Sequence, residues 1–153
     1  MKNHFQILNV TRENIISSIS SLSLDELNKV PEQFSNNIIW NIGHLVATQQ
    51  LLCYKLSSVA MYIDDDFINR YKKGSKVDFK VTQEEVDYIL DQLKELPTLV
   101  ESDYSNGKFK SYQPYTTSYK ITLNTIEEAI QFNNVHEGLH FGYIMAMKKI
   151  VTI

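Results

Sequence analysis

His136 and His140 stand four residues apart in a stretch, Thr125 to Ile150, whose apolar residues recur at helical spacing. Four residues are about one turn of an α-helix, so the two imidazoles lie one above the other on one face and can share a metal ion. Phe132, Tyr143 and Met147 fall within about 40° of the same stripe at 100° per residue, which turns the pair toward an apolar interior. A third histidine, His44, lies in a second apolar segment, with Trp40 a turn before it, Thr48 a turn after it, and Leu51 and Leu52 on the same side. Each buried imidazole left without a partner costs on the order of 1–3 kcal/mol, whereas one divalent ion satisfies all three. The alternative is a trio of polar side chains in an ordinary core.

Three neutral imidazoles leave the double charge of an ion uncompensated and at least one coordination position open, the arrangement of a reactive site rather than a sealed one. Such an ion lowers the pKa of bound water to about 7 or deprotonates a bound thiol, so hydrolysis and thiol transfer are both within reach. His136-Glu137-Gly138-Leu139-His140 also matches H-E-x-x-H, in which the glutamate serves zinc peptidases as general base. No Asp or Glu follows His140 to supply a third acidic ligand, and Tyr143 and Ala146 stand where the extended motif needs Gly and His. A peptidase is therefore set aside. Glu137 remains a candidate base, yet it sits about 100° around the helix from His136 and is expected to face a neighbouring helix or solvent. Tyr143, one turn beyond His140, is the other candidate catalytic side chain, as a contact to substrate. Cys53 comes nine residues after His44, about 180° around the helix, and is read as a core or surface thiol; His4 has no visible partner.

Four long helices must position these groups. Phe5, Leu8, Ile15, Ile19 and Leu22 place the first over about residues 3–21, with Arg12 on its apolar stripe and read as snorkelling at the edge of the core rather than facing a polar cavity. Ser23-Leu24-Asp25-Glu26 has the spacing of a capping box, but Pro31 keeps that element a short connector. Ser35 or Asn36 caps the second long helix, which carries His44 and runs to about Leu56. Thr82-Gln83-Glu84-Glu85 opens the third, which reaches Pro97 or slightly beyond, and Thr125-Ile126-Glu127-Glu128 opens the fourth, to about Ile150. Residues 64–80 carry no clear pattern; the basic run Arg70 to Lys76 within them reads as a solvated loop. From residue 109 to 121 the period shortens toward two around Pro114, which predicts an extended lid or irregular hairpin whose Tyr112, Tyr115 and Tyr119 are read as covering the end of the bundle, with the pocket mouth as the alternative.

The expected fold is all-α, one four-helix bundle over residues 1–153. With 15 basic against 18 acidic residues and net charge −3, nucleic acid is not an expected partner. The single cysteine excludes an internal disulfide and favours a reducing compartment. The first residues form no apolar signal core and no run approaches the ~20 apolar residues of a membrane span, so a cytoplasmic protein is expected.

Two segments together resemble the DinB/YfiT-like superfamily of four-helix bundles. Asn37-Ile38-Ile39-Trp40-Asn41-Ile42-Gly43-His44-Leu45 is similar to its N-x-I-x-W-x-x-G-H segment, and His136-Glu137-Gly138-Leu139-His140-Phe141-Gly142-Tyr143-Ile144 to its H-E-x-x-H-x-G-x-I. The resemblance implies helices in up-down-down-up order, His44, His136 and His140 as ligands of nickel, zinc, manganese or iron, and frequent homodimers. It also implies one of several activities on a small-molecule substrate: a thiol S-transferase using a low-molecular-weight thiol, a maleylpyruvate isomerase, a metal-dependent hydrolase, or a non-catalytic metal-binding or stress-related bundle. Phe141 stands where much of the family has arginine.

Overall fold

The structure is a computed structural model that describes residues 1–152; Ile153, the last residue of the expected domain, lies outside the described residues. Six α-helices carry the architecture: α1 Lys2–Ile19, α2 Leu24–Asn28, α3 Ile38–Gln49, α4 Asp65–Tyr71, α5 Gln83–Ser105 and α6 Ile126–Val151. α1, α3, α5 and α6 form the bundle, and their side-chain pairings give the order. Asn134 donates to the His4 carbonyl at 3.0 Å and Lys148 to that of Ser18 at 2.5 Å, so α1 and α6 run parallel. Phe5 packs on Tyr104 while Arg12 reaches Leu93, so α5 opposes α1. Asn41 meets Met147 at one end of α6 and Leu52 clusters with Ala129 at the other, so α3 opposes α6. The result is an all-α bundle in up-down-down-up order. No helix of the described residues is long and apolar enough to cross a membrane.

The helix starts follow from capping chemistry. Thr82 and Glu85 make the reciprocal capping box of α5, and the Thr125 hydroxyl accepts from the Glu128 N–H at the head of α6. The cap of α3 is Asn37, one or two residues later than the sequence suggested: its Oδ1 accepts from the Trp40 N–H at 2.8 Å, while its Nδ2 donates to the Asn28 carbonyl of α2 at 3.0 Å. α5 does not stop at Pro97 but continues to Ser105, because Leu93, Leu96 and Val100 form one buried stripe. Burying that stripe outweighs the roughly 3 kcal/mol that an interior proline costs.

Two stretches differ from their sequence reading. Past Gln49 the chain of α3 widens into a π-helical turn over Gln50–Tyr54 and tightens into a 3₁₀ turn over Lys55–Ser57, ending at Ser58 with φ 55°. Within the stretch without a clear pattern, Asp64 caps α4 by accepting from the Phe67 N–H at 2.7 Å, and Phe67, Ile68 and Tyr71 are buried. The basic run is thus not simply a solvated loop. Arg70 pairs with Glu85 at 2.6 Å and stacks 3.9 Å over the Phe79 ring. The expected irregular hairpin is present as β1 Tyr115–Thr116 paired antiparallel with β2 Thr122–Leu123, turning at Lys120 with φ 60°.

Candidate metal centre

His44 comes from the middle of α3, and His136 and His140 from adjacent turns of the facing α6. Their ring centroids stand 5.1, 4.8 and 4.4 Å apart, and one nitrogen from each ring lies within 4.8 Å of the other two. Nitrogens sharing an ion at about 2.1 Å stand about 3–4 Å apart, so the cluster is slightly open and the rings must draw in to bind one.

The hydrogen bonds around the rings assign their tautomers. The Asn41 amide donates to Asn36 Oδ1 at 2.9 Å and to the Asn37 carbonyl at 2.8 Å, so its Oδ1 is left to accept, and His140 Nδ1–H donates to it at 2.7 Å. His44 Nδ1–H donates to the Tyr71 carbonyl at 2.7 Å. That carbonyl is at the last turn of α4, where helical carbonyls have no partner of their own. In both rings the lone pair is therefore on Nε2, the form in which a histidine binds metal while its other nitrogen is held by an outer partner. The Thr48 hydroxyl donates to His44 Nε2 at 3.3 Å, and the Trp40 indole stacks on the His44 ring at 4.8 Å and 8°. His136 is different: its Nδ1 is buried with no hydrogen-bond partner among the described residues. Three neutral nitrogen donors, one from each ring and mutually within 4.8 Å, are a donor set that suits a divalent ion.

Burial also keeps these rings uncharged. It pushes His136 down to about 3, helped by His140, His44 and Arg12, and His140 down to about 4, helped by His44. His44 is lowered by burial too, although the Tyr71 carbonyl and Glu137 oppose the shift. All three are neutral at pH 7, and a neutral imidazole is the metal-binding form.

Gly43 explains how α4 comes close enough to serve His44. A Cβ there would stand 2.5–2.8 Å from the Tyr71 ring, so only glycine lets that ring lie on α3 and bring its carbonyl to the adjacent histidine. The Trp40 indole N–H donates to Ser75 Oγ at 2.9 Å, which in turn donates to the Arg70 carbonyl at 2.8 Å, tying the following loop to the same place. Sequence reasoning missed α4 and Tyr71; the glycine beside His44 was the available signal.

Glu137 does not join the histidines. It is fully buried on the other side of α6, where Arg12 Nη2 donates to it at 2.6 Å, Nε at 3.2 Å, and the Asn133 amide at 3.2 Å. The same guanidinium donates to the Leu93 carbonyl at 3.1 Å and the Leu45 carbonyl at 3.4 Å, so one side chain of α1 touches α3, α5 and α6. The Arg12 reading is corrected, while Glu137 faces a neighbouring helix as its position around α6 suggested. Arg12 is 1% exposed and does not snorkel, and Glu137 is occupied by it rather than free to act as a base.

The histidines open onto a cavity of about 720 Å³ walled by α3, α6 and the hairpin. Tyr143 lines it and packs edge-on against Phe34; Tyr115 and Tyr119 line it from the hairpin. Tyr112 does not, because it packs against the core with its hydroxyl buried. Cys53 is a core thiol that burial pushes up to about 12, and it is not one of the clustered ligand groups. Among the described residues no carboxylate lines the cavity.

Among curated proteins none matches the chain. A family model described as the DinB superfamily matches residues 7–144, a span that contains all three histidines, Gly43 and the Arg12–Glu137 pair. The bundle order, the three-histidine cluster that could hold a metal, and this match agree: the chain belongs to the DinB superfamily.

Proposed function

We propose that this protein is a metal-dependent thiol S-transferase, with His44, His136 and His140 as ligands of one divalent ion and a small electrophile as substrate. The observation that carries the reading is the pairing of an open three-histidine cluster with a cavity that has no carboxylate in its lining. A bound ion supplies Lewis acidity that holds a thiol as thiolate at neutral pH, which is most of what transfer to an electrophile requires.

The chain's own residues do the rest. Asn41 and the Tyr71 carbonyl fix two ring orientations, so the lone pairs are aimed before any ligand arrives. Leu51, Leu52, Phe132 and Leu139 make the cavity wall apolar, which strengthens electrostatic interactions within it. Tyr143, about half exposed, can donate to an electrophile's oxygen from the turn after His140. Hydrolysis, the alternative, is disfavoured because it calls for a general base near the attacking water, and the nearest carboxylate in sequence is engaged by Arg12.

Incubating the metal-loaded protein with a panel of low-molecular-weight thiols and monochlorobimane tests the reading. Conjugation above the uncatalysed rate with at least one thiol, lost in His136→Ala, is expected. No acceleration with any thiol, alongside a correctly loaded site, contradicts it.

A further inference from the structure

The chain carries more acidic than basic residues, 18 against 15, yet the lining of its main cavity contains Lys55 and Lys73 and no Asp or Glu. The two lysines come from separate elements. Lys55 starts the 3₁₀ turn that follows α3, and Lys73 lies in the loop after α4 that Trp40 and Ser75 hold against the bundle. Arg12, Arg70 and Lys108 have carboxylate partners, whereas neither cavity lysine has one among the described residues. The same lining contains the apolar side chains of Leu51, Leu52, Leu56 and Phe132, with Trp40 stacked on His44. Two unpaired ammonium groups over an apolar wall favour a ligand with a negative group on an apolar body, and they repel a cation.

We infer that the cavity selects small organic anions, Lys55 and Lys73 making its field positive while an apolar body packs on the leucines. This rests on the cavity being the substrate site, as the proposed function has it. It narrows the substrates of that reaction to negatively charged molecules, carried on either the thiol or the electrophile.

The test uses metal-free protein and a matched pair of probes: anilinonaphthalenesulfonate, an apolar anion, and phenylnaphthylamine, its uncharged counterpart. Trp40, the only tryptophan, lines the cavity and reports occupancy by quenching. Each exposed ion pair is worth a few-fold in affinity, so the double variant K55Q/K73Q is expected to weaken the anionic probe about tenfold and leave the neutral probe within about twofold. Added salt should weaken only the anion. Anion binding unchanged in the double variant, or both probes weakened equally, overturns the inference. Zinc binding separates the two readings: K55Q/K73Q keeps it if only anion selection depends on the lysines, while His136→Ala loses zinc and still binds the anionic probe.

Discussion

Residues 136 and 137 are neighbours in one helix, yet they face two polar clusters of opposite character. Glu137 points toward α1, where Arg12 and Asn133 satisfy its oxygens and no solvent reaches it. His136 points toward α3, where it meets two more imidazoles, keeps an unpartnered nitrogen and borders a cavity. The first cluster pairs opposite charges inside the bundle and holds helices together, although Asn133 Oδ1 is left over, whereas the second gathers neutral imidazoles beside open space, where a ligand can reach them. The H-E-x-x-H pattern is thus divided between a clasp across the bundle and a cluster that could hold a metal ion, and α6 presents one on each side.

The clasp should show the largest effect when broken. Glu137→Ala leaves the Arg12 guanidinium buried and unpaired, and is expected to cost about 3–5 kcal/mol in denaturant unfolding. The double change R12M/E137L, which removes both charges at similar volume, should recover most of that loss and still bind metal. Failure of the double variant to recover would mean that the pair does more than hold helices.

Acid separates the two clusters next. In the unfolded chain His136 and His140 take protons near pH 6.5, but in the folded chain only near 3 and 4. Between those values the unfolded chain binds more protons, so the stability of the metal-free protein is complete above pH 6.5 and is lost as pH falls toward 4. The slope approaches about 1.4 kcal/mol per pH unit for each ring. Denaturant titrations across pH 4–7 should show this slope, and H136N/H140N should flatten it.

Smaller effects probe how the site is aimed. Gly43→Ala forces a methyl group against the Tyr71 ring and should cost about 1–3 kcal/mol, with weaker metal binding because the Tyr71 carbonyl moves away from His44. Asn41→Leu removes the partner of His140 Nδ1 together with the amide's bonds to Asn36 and the Asn37 carbonyl, and calorimetric zinc affinity should fall about 10–100-fold while the helices stay in place. An unaltered affinity in Asn41→Leu would show that the tautomer is fixed by something else.

The long helices were legible because each carries a 3.6-residue apolar stripe and α3, α5 and α6 also a side-chain cap, and the facing of His44, His136 and His140 followed from those stripes. Short or compensated features were not. α4 has one cap and barely two turns, and the basic run at its end hides Phe67, Ile68 and Tyr71. Pro97 signals a stop that long-range burial overrules. Arg12 and Glu137 each look like surface charges when read alone, since their pairing spans two helices distant in sequence and no local pattern encodes it. Gly43 was visible as a residue, but its purpose depends on a ring contributed by α4.

The central claim is that three imidazoles hold one ion. Elemental analysis of protein purified without an affinity tag and loaded with nickel, zinc, manganese or iron tests it most directly, with His136→Ala beside it. The account predicts about one metal ion per chain with one of these metals and nearly none in the variant. Equal metal content in both proteins, or none in either after loading, would contradict it.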